Sequence, residues 1–366
     1  MAYTTINKSS EIFTNKRFTG NGATGQTLVT GTFPPDFCWI KKIEDGSSSE
    51  FCNFDTVRGA TKVIQFSTNE YQQTITNTLT AFTSTGYTLG SYSAVNGTGD
   101  AFQSMNWKAG GSSSSNSDGS ITTTTSVNNT AGFAVTSYTG TGSNATIGTG
   151  LTSKPAWVII KNLTDNSTEY MVGHQGIATN AFASNKYMHI NTNSSVQTNS
   201  SSWNSTEPTS NGVIYLGNGS YLNGSGKNYI CYSWSEKQGY SSFGSYVGNG
   251  STTNGTFVYT GFAPKWVICK TLGTDNWMLY MDNISGATAP TGSALSGIFN
   301  RHNLFLETNS GGDTQSAGTN QGMDMLSNGF KLFEDNGNLN GSGTSYIYMA
   351  FGQTIVGTND IPNNAR

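Results

Sequence analysis

Tyr246-Val-Gly-Asn-Gly250, then Trp266-Val-Ile-Cys-Lys270, then Asn340-Gly-Ser-Gly343 ahead of Tyr346 and Phe351, is one copy of a unit written three times in this chain. The second copy reads Tyr138-Thr-Gly-Thr-Gly142, Trp157-Val-Ile-Ile-Lys161 and Asn223-Gly-Ser-Gly226 ahead of Tyr229 and Trp234. The first reads Phe18-Thr-Gly-Asn-Gly22, Trp39-Ile-Lys-Lys42 and Asn96-Gly-Thr-Gly99 ahead of Phe102 and Trp107. Aligned on their tryptophans, the copies lie 118 and 109 residues apart. Solenoid repeats run about 20–50 residues, so each unit here is long enough to bury a core of its own.

The runs inside each unit are strands. Phe257-Val-Tyr-Thr260 and Trp266-Val-Ile-Cys269 are β-branched and aromatic, bounded by Gly or Pro. Pro35, Pro155 and Pro264 precede the tryptophan strands, where proline opens a strand without breaking its ladder. Tyr229-Ile-Cys-Tyr-Ser-Trp234 and Tyr346-Ile-Tyr-Met-Ala-Phe351 read as central strands. Short runs such as Gly212-Val-Ile-Tyr215 lead into the Asn-Gly elements, which read as hairpin turns. The expected fold is all-β: three tandem homologous β-sandwich domains of jelly-roll or concanavalin-like type, with the matched tryptophans inside each inter-sheet core. The map is a lead over residues 1–16, repeat one over 17–111, a Ser/Thr-rich linker or exposed loop over 112–130, repeat two over 131–238, repeat three over 239–353, and a tail over 354–366.

Composition narrows the function. Charged residues are 11% and the formal net charge is −3, without a basic run, which argues against nucleic acid as a partner. Aromatics at 12% argue against disorder despite 45 glycines. No transmembrane stretch or secretory signal is legible, so the reading is cytosolic synthesis without membrane insertion. Cys38, Cys52, Cys231 and Cys269 fall at different places in the repeat and read as free buried thiols.

Chemistry is sparse. His174, His189 and His302 have no ligand spacing with Cys or carboxylates, and no acidic pair recurs in all copies. No catalytic residue, metal site or cofactor is expected, and the chain reads as a non-enzyme. Two places remain as binding candidates. Asp55-Thr-Val-Arg58-Gly59 is the most distinctive charged cluster, either a polar ligand site or a salt bridge pinning a loop. Trp203, in a run of Ser, Asn and Thr, is the candidate for an exposed sugar-stacking platform, whereas Trp107 and Trp234 lie in apolar runs and read as core.

Met1-Ala-Tyr-Thr-Thr-Ile-Asn7, Phe54-Asp-Thr-Val-Arg-Gly-Ala-Thr-Lys62, Val258-Tyr-Thr-Gly-Phe-Ala-Pro-Lys-Trp-Val267 and Val356-Gly-Thr-Asn-Asp-Ile-Pro362 together resemble tandem-repeat virion-surface proteins of marine bacteriophages, of the tail-fibre-like and head-appendage kind. The resemblance implies a lectin-like sandwich and a virion location after assembly in the host cytoplasm. It implies other virion proteins and copies of this chain as partners, with host-surface glycans as a further class. It supplies no catalytic residues. Repeat three departs from the pattern by a Gly-rich insertion from Ser285 to Ser316, and repeats two and three lack the Asp-x-x-Arg-Gly cluster. The alternative function is a carbohydrate-binding, lectin-like module array.

Overall fold

A computed structural model describes residues 4–43, 50–281, 303–306, 322–333, 335 and 337–353. His302, the insertion from Ser285 to Ser316 and the tail lie wholly or mostly outside these residues. The fold is all-β, with only one-turn helices between strands.

Each repeat contributes a large and a small antiparallel sheet. The large sheets share a three-strand centre, in which a closing strand lies between an opening strand and a tryptophan strand. In repeat one these are Ala101–Trp107 between Phe13–Thr19 and Phe37–Lys42. In repeat two they are Asn228–Trp234 between Phe133–Thr139 and Trp157–Asn162. In repeat three they are Ser345–Gln353 between Ser241–Val247 and Ala263–Thr271. The small sheets pair Gln26–Val29 with Gly86–Leu89, Ala145–Gly148 with Val213–Leu216, and Phe257–Tyr259 with Gly329–Leu332.

The recurrent glycine motifs hold each other. The Asn96 side chain accepts the Asn21 N–H at 2.9 Å, that of Asn223 accepts Thr141 N–H at 2.8 Å, and that of Asn340 accepts Asn249 N–H at 3.0 Å. The backbone carbonyls of the same three asparagines accept the N–H of Gly22, Gly142 and Gly250 at 2.7–2.9 Å. Those glycines have φ of 66–72°, which a side chain would strain. Ring pairs Phe18–Phe102, Tyr138–Tyr229 and Tyr246–Tyr346 stack beneath the clamps at 4.9–5.2 Å. The expected Asn-Gly hairpins are corrected here. A helical turn, Ser93–Asn96 or Ser220–Asn223, presents the first two asparagines, and its amide binds a distant turn rather than closing a hairpin.

Register corrects the alignment of repeat one. Trp157 pairs with Trp234 and Trp266 with Phe351, but the residue opposite Trp107 is Phe37. Trp39 sits two positions on, opposite Met105, where repeats two and three place Ile159 and Ile268. Lys41, Lys161 and Lys270 are then equivalent. A bulge between Pro264 and Trp266 absorbs the extra residue of repeat three.

The tryptophan and closing strands of the large sheets are buried on both faces. Alternation sends Cys38, Ile40 and Phe102 toward the small sheet of repeat one, and Phe37, Trp39, Met105 and Trp107 the opposite way. Repeat three divides alike, with Val267, Tyr346 and Tyr348 facing its small sheet and Trp266, Ile268 and Phe351 facing away. The outward-turned sets meet in one shared centre. Trp39, Trp157 and Trp266 form a near-equilateral triangle with ring centroids 5.8–6.4 Å apart. Trp107 touches Trp234 and Trp266, and Trp157 stacks on Trp234 at 4.1 Å. The expectation that these tryptophans lie between the two sheets of each sandwich is therefore corrected: they lie where the large sheets of the three repeats meet. Five indole N–H groups here, on Trp39, Trp107, Trp157, Trp234 and Trp266, have no hydrogen-bond acceptor among the described residues. In a site built of rings, the available acceptor is a neighbouring π face.

Two boundaries also change. Phe13 already belongs to the opening strand, and Ile6, Ile12 and Phe13 of the lead enter the shared centre, although Thr5, Asn7, Lys8, Glu11 and Lys16 stay exposed. The Ser9 N–H donates to Gln353 Oε1 at 2.6 Å, which docks the lead on repeat three. Residues 112–130 are not a linker. Ser114–Asn116 and Thr123–Asn128 add two strands to the edge of the large sheet of repeat two.

Candidate functional site

The Asp55–Arg58 cluster forms because the strand Cys52–Asp55 ends in a turn. Asp55 Oδ1 accepts Arg58 N–H at 2.8 Å, Asp55 O accepts Gly59 N–H at 3.1 Å, and Gly59 takes φ 92°. Arg58 Nε then meets Asp55 Oδ2 at 2.5 Å with both side chains buried, 3% and 0% exposed. The pair reaches into repeat two. Tyr232 Oη donates to Asp55 Oδ2 at 2.7 Å and accepts from Arg58 Nη2 at 3.2 Å, while the Tyr232 ring stacks on Phe37 at 4.0 Å. Arg58 Nη2 also donates to Asn53 O at 3.1 Å. Burial is the largest single influence and works against the guanidinium charge, but Asp55, Tyr232 and Tyr170 together outweigh it and raise the Arg58 pKa above its ordinary value. Of the two sequence readings, loop pinning is what the geometry shows, extended to pinning one repeat on another.

Arg58 also touches a groove between repeats one and two. The groove has a volume of about 330 Å³, and its walls include Gln72, Thr124, Ser137, Thr139 and Asn228. Nη1 reaches Gln72 Oε1 only at 3.5 Å, the longest contact of this guanidinium. The walls are rich in hydroxyls and amides, the chemistry that hydrogen-bonds a polyhydroxylated ligand. The volume is at the low end of small-molecule sites, which run about 300–1,000 Å³. Tyr138 and Tyr229 border the groove but cover each other's faces.

Trp203 is corrected. It is fully buried, donates its indole N–H to Lys186 O at 2.9 Å and packs edge-on against Phe182 at 5.0 Å. The polar run around it folds inward through Asn204 and Ser205, both at positive φ, with Ser202 Oγ bonded to Asn199 O at 2.6 Å. Asp55, Arg58 and Trp203 are therefore not one site. The first two meet, and the third lies in the core of repeat two.

Sequence reasoning missed the lysines. Lys41, Lys161 and Lys270 are fully buried, each beside the ring that immediately precedes the adjacent strand: Phe51 at 5.3 Å, Tyr170 at 4.6 Å and Trp277 at 6.0 Å. Lys161 Nζ donates to Thr168 O and to Asn69 O of repeat one. Lys270 Nζ donates to Thr271 O and Gly273 O at 2.7 and 2.8 Å. Burial lowers the pKa of Lys41 and Lys161 to about 8. Their signal was a lysine at one register position in all three copies, hidden by aligning on Trp39.

His174 also joins repeats. Its Nδ1 accepts Gly176 N–H at 3.0 Å, so Nε2 carries the proton toward Tyr348 O at 3.2 Å. Burial drives its pKa down to about 3 and keeps it neutral. All four cysteines are free and buried. Among the described residues no three of His, Cys, Asp and Glu gather as metal ligands, and no helix is long and apolar enough to cross a membrane.

No curated protein and no solved structure matches this chain. A family model does, over residues 8–354, and it spans all three repeats together with the centre they share. The chain belongs to the family described as Domain of unknown function (DUF7483).

Proposed function

We propose that this chain is a non-enzymatic structural protein on the surface of a bacteriophage virion, in a tail-fibre, head-fibre or decoration position, with a part in host-surface attachment. The observation that carries the reading is the use made of the distinctive polar groups. Asp55–Arg58, Lys161, His174 and the Trp277 indole, which donates to His189 O at 2.9 Å, all tie one repeat to the next. Side chains that could do chemistry are used as fasteners, which suits a rigid building block. A surface poor in both signs of charge lets like subunits pack closely. The resemblance in sequence to virion-surface proteins points the same way. Immunolabelling particles of the phage that encodes the chain tests it. Label at a fixed position on intact particles is expected, and a chain found only free in the lysate would overturn the reading.

The groove beside Arg58 favours a second reading, a glycan-binding module. Its test is a glycan array with the wild-type chain and Thr124→Trp, which fills the groove from one wall. Binding that the substitution abolishes supports this reading, and binding that it leaves intact removes it.

A further inference from the structure

The three repeats treat one equivalent edge in three ways. The edge belongs to the outer strand of each small sheet: Gln26–Val29, Ala145–Gly148 and Phe257–Tyr259. Register places Leu28, Ile147 and Val258 at one inward position, with the flanking residues turning their backbone N–H and C=O away from the sheet.

In repeat two those outward groups are occupied. Thr146 O accepts Ile121 N–H at 3.0 Å, Thr146 N–H donates to Ser120 Oγ at 2.8 Å, and Gly148 O accepts Thr123 Oγ1 at 2.9 Å. The same segment then pairs Thr123–Asn128 with the opening strand Phe133–Thr139. One extended Ser/Thr-rich piece thus covers the whole side. In repeat one the outward backbone groups of Thr27 and Val29 have no partner among the described residues, but the opening strand carries exposed Lys16 and Arg17, charges that discourage strand addition. In repeat three the opening strand Ser241–Val247 has no charge. The backbone groups of Phe257 and Tyr259 have no partner among the described residues. Val247, Phe257 and Tyr259 are 56%, 45% and 62% exposed, three of the most exposed large apolar side chains among the described residues.

We propose that the edge Phe257–Tyr259 joins two copies of this chain, strand to strand, about a two-fold axis. Repeat two supplies the precedent, since the matched edge already accepts an extended Ser/Thr-rich segment through its backbone. The second copy is favoured because the strand is complementary to itself. Antiparallel apposition about Val258 sets Phe257 opposite Tyr259 of the other copy, twice. The outward N–H and C=O groups of both residues then bond across the axis, and the aromatic pairs cover each other. The joined small sheets continue through Gly329–Leu332 and Met323–Leu326 on each side. This inference rests on the reading of the chain as a component of assemblies and names the contact.

Sedimentation of the full chain over a range of concentrations tests it. The wild type is expected to dimerise. Joint substitution Phe257→Lys and Tyr259→Lys sets like charges across the axis and is expected to weaken dimerisation at least about tenfold, with an unchanged melting temperature because both positions are exposed. Phe257→Glu with Tyr259→Lys sets opposite charges across the axis and is expected to restore the dimer. Val29→Lys, at the matched edge of repeat one, should leave dimerisation intact. A wild type that stays monomeric overturns the proposal, as does a Lys/Lys variant that dimerises normally. If that variant still associates and still labels on particles, the edge contact fails while the assembly reading stands. A monomeric chain absent from particles removes both.

Discussion

The shared centre and the small-sheet cores of repeats one and three are both apolar and fully buried, yet they do different work. A local core, such as Leu28, Tyr87, Leu89 and Phe102 in repeat one, joins two sheets of one copy. The centre joins three copies whose sheets share no strand pairing among the described residues. Large rings dominate its middle, where tilted, stacked and edge-to-face contacts link side chains of all three repeats. Damage to a local core should therefore stay local, and damage to the centre should reach the whole chain.

The largest expected effect tests that contrast directly. Trp157→Ala should cost about 3–5 kcal/mol and lower all unfolding transitions together in calorimetry. Leu89→Ala, in the local core of repeat one, should cost about 2–5 kcal/mol, with hydrogen-exchange protection lost in repeat one alone. Equal spread of both effects would erase the distinction between centre and periphery.

Arg58→Met comes next. It leaves the Asp55 carboxylate buried without its partner, a change worth about 3–5 kcal/mol, and should loosen exchange at Tyr232 across the repeat boundary. Adding Asp55→Asn should recover much of the loss, which a purely steric role of Arg58 would not allow.

Asn223→Ala should cost about 1–3 kcal/mol by leaving the Thr141 N–H and the Gly217 carbonyl without their partner. The loss should be confined to the clamp of repeat two.

The smallest effect is in pH. The folded-state pKa of Lys41 and Lys161, near 8, lies below the unfolded value of about 10.4. Between those values the unfolded chain binds more protons, so stability should rise with pH from about 8 toward 10. Above about 10 the trend should reverse, since buried Tyr170 and Tyr232 hold their protons in the folded state and release them on unfolding. Lys161→Met should flatten the rise in a melting-temperature profile.

Much of this was legible because the landmarks are bound to one another. The Gly-rich turns and the Asn-Gly elements recur together since each asparagine clamps its own turn, so a local pattern recorded a tertiary contact. What stayed hidden depends on direction. Nothing in Ser200-Ser-Ser-Trp-Asn-Ser-Thr206 says that the ring turns inward, because local hydroxyl and amide bonds satisfy the polar residues there. Likewise a strand with apolar residues on both faces does not say which face meets its own sheet and which a neighbouring repeat. The pairing of Phe37 rather than Trp39 with Trp107 needed the register, and a tryptophan two residues out of step was the more conspicuous mark. The site residues were half legible. The Asp55–Arg58 pair stood out against a charge-poor chain, whereas its partner Tyr232 lies 177 residues away from Asp55 in sequence.

The three-way centre makes a trimer out of one polypeptide, and that changes what the outside can be. Three separate identical subunits around an axis must present identical flanks, so any adhesive strip would appear three times and any shield would blunt all of them. Covalent connection lifts that obligation and also removes the dependence of the assembly on concentration. Among the described residues one flank is shielded, one carries charge and one has neither, around an interior to which all three repeats give aromatic rings. Such a molecule has a direction: it can be stuck at one flank without being sticky at all three.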